Sequence, residues 1–378
     1  MSTVSVYPLK DYSEAFVRNA LENVLKPLGG LDWVKSGMRI VIKANLVSMM
    51  KPDSAATTHP MLLSVLTEML HEKGASVVIG DSPGGLYNSA YVNAVYTATG
   101  VKAAVSKGAQ LNQNFSHKHA ENPAGRVLKS FEYTAYIDSA DAIINFCKLK
   151  THGMMAMSAC VKNMFGLIPG TYKPEYHYLY PEHEKFADML VDLNERFKQR
   201  LVLVDAVVGM EGNGPTAGTP RQIGAILASD SPYACDRIAA KIIGLDENEV
   251  ETIVSAEKRG LNDEISLIGD IDPLRIPDFK LIRTKKETAF YAGSQGIFSK
   301  FLAKFIKSAL ESVPALHKNQ CVGCAKCASI CPAKAIVMKN RRPVIDRKKC
   351  IRCFCCQEFC PPGAMQLKRP VIAKLFNR

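Results

Sequence analysis

Two copies of one cysteine pattern lie near the C-terminus, 29 residues apart. The copies read Cys321-x2-Cys324-x2-Cys327-x3-Cys331-Pro332 and Cys350-x2-Cys353-x2-Cys356-x3-Cys360-Pro361. Gaps of two residues let three thiolates turn toward one centre, and the proline after each fourth cysteine fixes φ and turns the chain away. The eight side chains must converge in space, so no other feature constrains the fold of this segment as narrowly.

This spacing is that of the bacterial ferredoxin run, in which the fourth cysteine of each run binds the cluster of the other run. The sequence therefore predicts two [4Fe–4S] clusters, one held by Cys321, Cys324, Cys327 and Cys360 and the other by Cys350, Cys353, Cys356 and Cys331. Cys355 adjoins Cys356, but Cys356 keeps the spacing, so Cys355 is predicted to be a spare thiol. Zinc ribbons use pairs of cysteines instead.

The other cysteines and the N-terminus indicate a reducing compartment. Cys147, Cys160 and Cys235 lie far apart in the sequence, as buried free thiols do. Residues 1–11 have neither the charged nor the apolar region of a signal peptide, and no apolar run reaches the roughly 18 residues that span a bilayer. We therefore expect a cytoplasmic protein without a disulfide scaffold.

The net charge of +12 is concentrated at one end of the chain. Residues 291–378 contain 17 Lys and Arg against 3 Asp and Glu, whereas residues 1–290 have a balance of −2. Part of this positive charge offsets the negative clusters, and the surplus suits an acidic electron donor such as a ferredoxin or flavodoxin. Anionic lipid is an alternative partner. Nucleic acid is not expected, because no recognition motif accompanies the charge.

A basic amphipathic segment joins the two regions. Residues 291–316 are predicted to form a linker, in which residues 296–313 place an apolar stripe beside Lys300, Lys304 and Lys307. This helix could dock the cysteine-rich domain, at residues 317–370, onto the rest of the chain. A peripheral contact with a membrane surface is the other interpretation. Residues 371–378 form a basic tail.

Residues 1–290 show alternating strand and helix patterns. Strands are predicted at 38–44, 75–80, 140–146, 201–208 and 223–228, and helices at 13–28, 60–73, 185–200 and 232–243. This alternation predicts an α/β body with a mostly parallel sheet, possibly in two lobes. The smaller C-terminal domain would be an α+β dicluster ferredoxin. No P-loop and no G-x-G-x-x-G follows the early strands, so nucleotide binding has no support.

Polar residues follow several of the predicted strands, and ligands of open α/β sheets bind at that edge. The candidate substrate-binding residues are Lys43, Asn45, His59, Lys148 and Glu211. The candidate catalytic residues are Asp81, Lys150, His152, Lys162 and Asn163. If residues 145–152 are extended, Lys148, Lys150 and His152 point the same way. Ser158 and Lys162 would share one face of a following helix.

These cations suit an anionic substrate, such as a carboxylate or a phosphate, or a lysine whose pKa is lowered by burial. The aromatic and histidine-rich stretch at 172–183 contains two prolines, which favour a loop. It could cover the pocket as a lid or pack as an ordinary loop.

Several short motifs resemble a known family, the domain of unknown function 362, in its form fused to a bacterial-type ferredoxin module. The motifs are Lys43-Ala44-Asn45, Gly80-Asp81-Ser82-Pro83-Gly84, Lys148-Leu149-Lys150-Thr151-His152, Val161-Lys162-Asn163-x-Phe165-Gly166, Glu211-Gly212-x-Gly214-Pro215 and Asp236. The resemblance covers nearly the whole chain and implies an α/β fold and two clusters. The Lys150-Thr151-His152 stretch is also similar to the Lys-Pro-His-Thr segment of lactate-racemase-like proteins. The order of residues differs, and no nickel cofactor is carried over.

Fusion of an electron-handling module to a polar cleft favours an oxidoreductase that passes single electrons to a small, anionic organic substrate. Two alternatives remain open at this point. One is an electron carrier or adaptor whose body binds a partner protein. The other is acid–base chemistry of the lactate racemase kind, with clusters that are only structural.

Overall fold

One mixed sheet runs through the body of the protein, and the computed structural model describes residues 1–282 and 312–368. The strands of the body are β1 (Ser2–Pro8), β2 (Arg39–Ala44), β3 (Ser76–Gly80), β4 (Ala109–Leu111), β5 (His117–Glu121), β6 (Ser130–Thr134), β7 (Ala142–His152), β8 (Ala156–Ser158), β9 (Leu201–Glu211), β10 (Thr219–Ser229) and β11 (Ile265–Ile268). The nine-stranded sheet has the order β11-β1-β10-β9-β7-β2-β3-β4, with β8 paired to β7, while β5 and β6 form a separate hairpin.

The sheet is mostly parallel, as the alternation of elements predicts. β9, β7, β2, β3 and β4 are parallel neighbours, so their carboxyl ends meet at one edge. β10 pairs antiparallel with β9 and β1, and the β1 strand at the N-terminus was not predicted. This parallel edge is where the candidate residues of the sequence lie.

Helices cover both faces of the sheet and bury its apolar side chains. The helices of the body are α1 (Glu14–Leu25), α2 (Pro60–Glu72), α3 (Ser89–Ala98), α4 (Cys160–Asn163), α5 (Lys173–Leu179), α6 (His183–Arg196), α7 (Pro232–Ile242) and α8 (Glu251–Glu257). Ile40 and Ile42 of β2 belong to one core, whereas Val41 packs into another. The alternation of side chains along a strand explains this division. In the described ranges, no helix is long and apolar enough to cross a lipid bilayer.

Two local predictions are wrong. The predicted helix through Ser158 and Lys162 is interrupted, because Ser158 ends β8 and α4 begins only at Cys160. The antiparallel pairing of β8 with β7 instead sets Ser158 opposite Lys150. The stretch at 172–183 is not a loop, since residues 173–179 form α5 with Pro174 in its first turn, a position that proline tolerates well.

The C-terminal ferredoxin domain, residues 312–368, repeats one small unit. Its elements are β12 (Val313–Leu316), α9 (Lys326–Ser329), β13 (Ile336–Lys339), β14 (Arg342–Ile345), α10 (Cys355–Glu358) and β15 (Met365–Lys368). Ala325 and Phe354 precede the two helices and both have positive φ, at 61° and 60°. β12 pairs with β15, so the domain begins before the predicted residue 317. Most of the predicted basic helix at 296–313 lies outside the described residues.

Candidate functional site

A cavity of about 60 Å³ lies where the ferredoxin domain rests on the carboxyl edge of the sheet. Its polar lining comes from strand ends, from α4 and α5, and from α10 of the ferredoxin domain. The residues with ionisable or amide groups are Asn45, Asp81, Lys150, His152, Lys162, Asn163, Lys173 and Glu358. A wider cavity of about 880 Å³ lies near Arg39, at the opposite end of β2, and contains none of these groups.

Asp81 and Lys43 form a buried ion pair at the end of β3 and β2. Lys43 Nζ lies 2.8 Å from Asp81 Oδ1, and the two side chains are 0% and 3% exposed. Asp81 Oδ2 accepts a hydrogen bond from the Leu46 amide at 2.7 Å. Gly166 leaves room for this pair, because a Cβ there would come within 2.1 Å of Asp81 and 2.4 Å of Lys43. The pair therefore depends on glycine at position 166.

Lys150 reaches the cavity from β7 and is held by neutral acceptors. Its Nζ donates to Asn45 Oδ1 at 2.7 Å and to the Ala56 carbonyl at 2.6 Å. Burial, together with the charge of Lys162, lowers the pKa of Lys150 to about 7. At neutral pH this amine therefore exchanges a proton readily, which is the requirement for a general acid or base.

Lys162 is positioned by a capped turn of α4. The buried Asp236 carboxylate of α7 accepts hydrogen bonds from the Cys160 and Val161 amides at 2.7 and 3.2 Å. Lys162 Nζ lies 4.8 Å from the centre of the Phe165 ring. Across residues 1–282 and 312–368, it has no hydrogen bond or ion pair. Burial lowers the pKa of Lys162 as well. Because no described residue pairs with this amine, it is available to a ligand.

Lys173 was missed by the sequence interpretation and joins the cavity from the first turn of α5. Its Nζ donates to the carbonyls of Ser82 and Ile168 at 2.7 and 2.6 Å. Burial lowers its pKa to about 7. Nothing in the local pattern distinguishes Lys173 from a solvated lysine, although it lies within the aromatic stretch at 172–183.

His152 bridges the two domains in a defined tautomer. Its Nδ1 accepts hydrogen bonds from the Met154 and Met155 amides at 3.2 and 3.1 Å. The proton of the neutral ring is therefore on Nε2, which lies 2.8 Å from Glu358 Oε1. Burial lowers the pKa of His152 and favours this neutral form. His152 thus orients a carboxylate of the ferredoxin domain at the cavity wall.

Further contacts hold α10 of the ferredoxin domain against the body. Gln357 Nε2 donates to the Asn213 carbonyl at 3.0 Å, and Phe354 packs into a core of the body. A Cβ at Gly84 would come within 2.9 Å of the Phe359 ring. Glycine at this position therefore allows Phe359 to lie against the loop that follows β3.

The other predicted residues occupy different places. Asn45 and Asn163 lie in the cavity wall and hydrogen-bond to each other at 2.9 Å. Lys148 is paired with Asp205 at 2.9 Å and does not line the cavity. His59 caps α2 and stacks on Tyr12 at 3.6 Å. Glu211 contacts Lys280, 3.4 Å away, so neither His59 nor Glu211 faces the cavity.

Four of the predicted cysteine ligands lie together in the structure. Cys321, Cys324, Cys327 and Cys360 line one small pocket. Burial raises the pKa of Cys350, and the nearby Cys353 and Cys331 charges raise it further. In the described part of the chain, no three His, Cys, Asp or Glu side chains converge on a single ion. A cubane does not require such convergence, since its four cysteines bind four different irons.

Comparisons with known proteins agree with this architecture. The model of the family described as Domain of unknown function (DUF362) matches residues 40–241, and that of the 4Fe-4S dicluster domain matches residues 314–361. The thylakoid-associated protein sll1697 of Synechocystis sp. is 29% identical over 273 residues, which are 69% of this chain and 81% of the relative.

Among solved structures, the lactate racemase apoprotein from Thermoanaerobacterium thermosaccharolyticum superposes with a TM-score of 0.40 and 13% identity, over 62% of this chain and 56% of that chain. The family match, in contrast, spans more than half of the chain and includes both the sheet edge and α4. The chain therefore belongs to the DUF362 family and has a C-terminal domain of the 4Fe-4S dicluster type, which binds iron–sulfur clusters.

Proposed function

We propose that this chain is an iron–sulfur oxidoreductase, in which two [4Fe–4S] clusters supply single electrons to a small anionic organic substrate in the cavity. One observation carries the proposal: the ferredoxin domain itself forms part of the cavity wall. Glu358 and Phe359 line the cavity, and Phe359 directly precedes the predicted ligand Cys360. A separate electron carrier would not need to share a polar cavity with the body.

The side chains of the cavity suit the reduction of a C=C or C=O bond next to an anionic group. Such a reduction consumes two electrons and two protons per bond. Lys162 would bind the anionic group, while Lys150 can donate one proton at neutral pH. Asn45 and Asn163 would hold Lys150 and Lys43 in place. The second proton would come from solvent or from Lys173.

Lys162→Met is expected to slow substrate-dependent reoxidation by about tenfold or more, because a charged hydrogen bond to the substrate is lost. The measurement follows the visible absorbance of reduced protein after small unsaturated carboxylates and 2-oxo acids are added without oxygen. Lys258→Met is the matched control, since Lys258 is exposed on the body. If no compound speeds reoxidation in the unmodified protein, the oxidoreductase proposal fails.

We propose that an acidic electron carrier docks on the ferredoxin domain. Residues 312–368 contain 11 Lys and Arg against 2 Asp and Glu, and the loop at 347–349 is exposed. Reversal of two charges, Lys348→Glu with Lys349→Glu, is expected to slow reduction by a low-potential ferredoxin about tenfold at low salt. Lys258→Glu in the body should have no such effect. Equal rates for both variants would contradict docking at this surface.

A second candidate function is acid–base chemistry that needs no electron transfer. The observation in its favour is that Lys150 and Lys173, both with a pKa of about 7, lie in one cavity. Turnover of a substrate while the clusters are held oxidised would favour this function over reduction. We place either reaction in the cytoplasm, where the free cysteines of the body would stay reduced.

A further inference from the structure

The charged groups of the cavity do not balance. Asp81 is paired with Lys43 at 2.8 Å, and the Glu358 carboxylate lies against the Nε2 proton of the neutral His152. Three more lysines, Lys150, Lys162 and Lys173, belong to the same cavity. The four lysines therefore exceed the two carboxylates by two positive charges when all are protonated.

The three additional lysines have no carboxylate partner among the described residues. Among the described residues, Lys150 donates only to an amide oxygen and a carbonyl, and Lys173 only to two carbonyls. Lys162 contacts aromatic rings and donates to no acceptor in the described ranges. Buried charges are normally paired, because an unpaired one loses its hydration without compensation. No described residue supplies this counter-charge, and a bound anion would do so.

A hydroxyl group in the same wall also has no partner in the part of the chain that the structure describes. Ser82 lines the cavity, is 1% exposed, and its Oγ has no hydrogen bond within the described residues. A hydroxyl group can donate one hydrogen bond to an oxyanion. Buried polar groups are nearly always satisfied, so a ligand that accepts hydrogen bonds would complete this wall.

We infer that the ligand of this cavity is a compact dianion with its charge on oxygen atoms, either a dicarboxylate or a phosphate-type group. Lys150, Lys162 and Lys173 neutralise it, and Ser82 donates a hydrogen bond. As an identification of the substrate class, this inference rests on the proposed function. As a statement about binding, it needs no electron transfer.

Proton uptake accompanies the binding of such a dianion. Lys150 faces Lys162, Glu358, Asp81 and Lys148, and Lys173 faces Asp81, Lys43, Lys162 and Glu358. In the empty cavity the pKa of Lys150 and that of Lys173 are both about 7. A bound dianion raises both values, so affinity increases as the pH falls from about 8 to about 6 and then levels off.

The test is calorimetric titration of the oxidised holoprotein with anions matched in shape but not in charge. Sulfate is compared with perchlorate, and malonate with propionate. We expect at least one dianion to bind about tenfold more tightly, or more, than its monoanion. Tighter binding of sulfate than of perchlorate indicates a phosphate-type ligand. Tighter binding of malonate than of propionate indicates a dicarboxylate. Equal affinities within both pairs, or no binding of either dianion, would overturn the inference.

The number of protons taken up on binding is measured by repeating the titration in buffers of different ionisation enthalpy. At pH 7.5 the protein should take up about one proton or more when the dianion binds, since Lys150 and Lys173 titrate near pH 7. Lys162→Met and Ser82→Ala should each lower the affinity for the dianion that binds more tightly, while Lys258→Met should leave that affinity unchanged. Ser82→Ala removes a single atom and guards against misfolding of the lysine variant. Unchanged affinity in both cavity variants would contradict the binding of the dianion in this cavity.

The inference and the proposed function fail in different ways. If a dianion binds but no candidate substrate reoxidises the reduced protein, the dianion site is supported and the oxidoreductase proposal is rejected. If a neutral or monoanionic substrate reoxidises the protein and no dianion binds, the oxidoreductase proposal stands and the inference of a dianion ligand is rejected.

Discussion

Cys356→Ala is expected to lower the iron content from about eight to about four atoms per chain or fewer, because it removes one of four ligands of the second cluster. Cys355→Ala is the matched control and should keep all the iron. Cys355 is fully buried, and its side chain contacts that of Cys353. In the motif, the third cysteine position belongs to Cys356 and not to Cys355. Iron and acid-labile sulfide are measured in protein reconstituted without oxygen.

The two variants differ by one position on the same short helix, α10, so general damage to the helix would affect them equally. Loss of iron in both, or in Cys355→Ala alone, would show that the ligand assignment is wrong. Reduced Cys356→Ala should also lose the magnetic interaction between two paramagnetic clusters, which electron paramagnetic resonance detects.

Asp205→Ala is expected to lower the free energy of unfolding by about 3–5 kcal/mol, because the charge of Lys148 stays buried without a carboxylate partner. The two side chains are 0% and 1% exposed, and Asp205 also accepts hydrogen bonds from Tyr12 and from the His59 amide at 2.9 and 3.0 Å. Denaturant unfolding of the oxidised protein, followed by far-ultraviolet circular dichroism, measures the change.

Two comparisons show whether the buried charge is the cause. The double variant Lys148→Met with Asp205→Leu removes both charges and should recover most of the lost stability. Asp32→Ala removes the acidic partner of an exposed pair with Lys73 and should have little effect. If the double variant were less stable than Asp205→Ala, the unpaired charge would not explain the loss.

The ferredoxin run and the parallel strands of the body could be predicted because their signals are local. Cysteine spacing determines which thiolates can reach one cluster, and apolar periodicity determines strands such as 38–44 within about two residues of the observed bounds. The general place of the site followed from a rule of parallel sheets, in which the carboxyl ends of the strands share an edge. Neither step required knowledge of distant contacts.

The set of residues that lines the cavity could not be predicted in the same way. Lys148 and Lys150 are two residues apart on β7, and alternation places them on one face. The pairing of β7 with β9 shifts between them, so Lys148 lies opposite Asp205 and Lys150 opposite Met210. One lysine therefore gains a carboxylate partner while the other remains free to face the cavity, although the sequence pattern treats them as equivalent.

The sequence alone determined the iron–sulfur character of the C-terminal domain, the α/β class of the body and the edge of the sheet where polar residues gather, since each depends on spacing along the chain. The tertiary structure decided which charges meet. Lys173 comes from α5 and Glu358 from the other domain, and both reach a cavity whose remaining lysines lie on β7 and α4. Their burial, pairing and lowered pKa values arise from contacts between residues far apart in the sequence, such as His152 and Glu358, which lie 206 positions apart. No local pattern encodes such contacts.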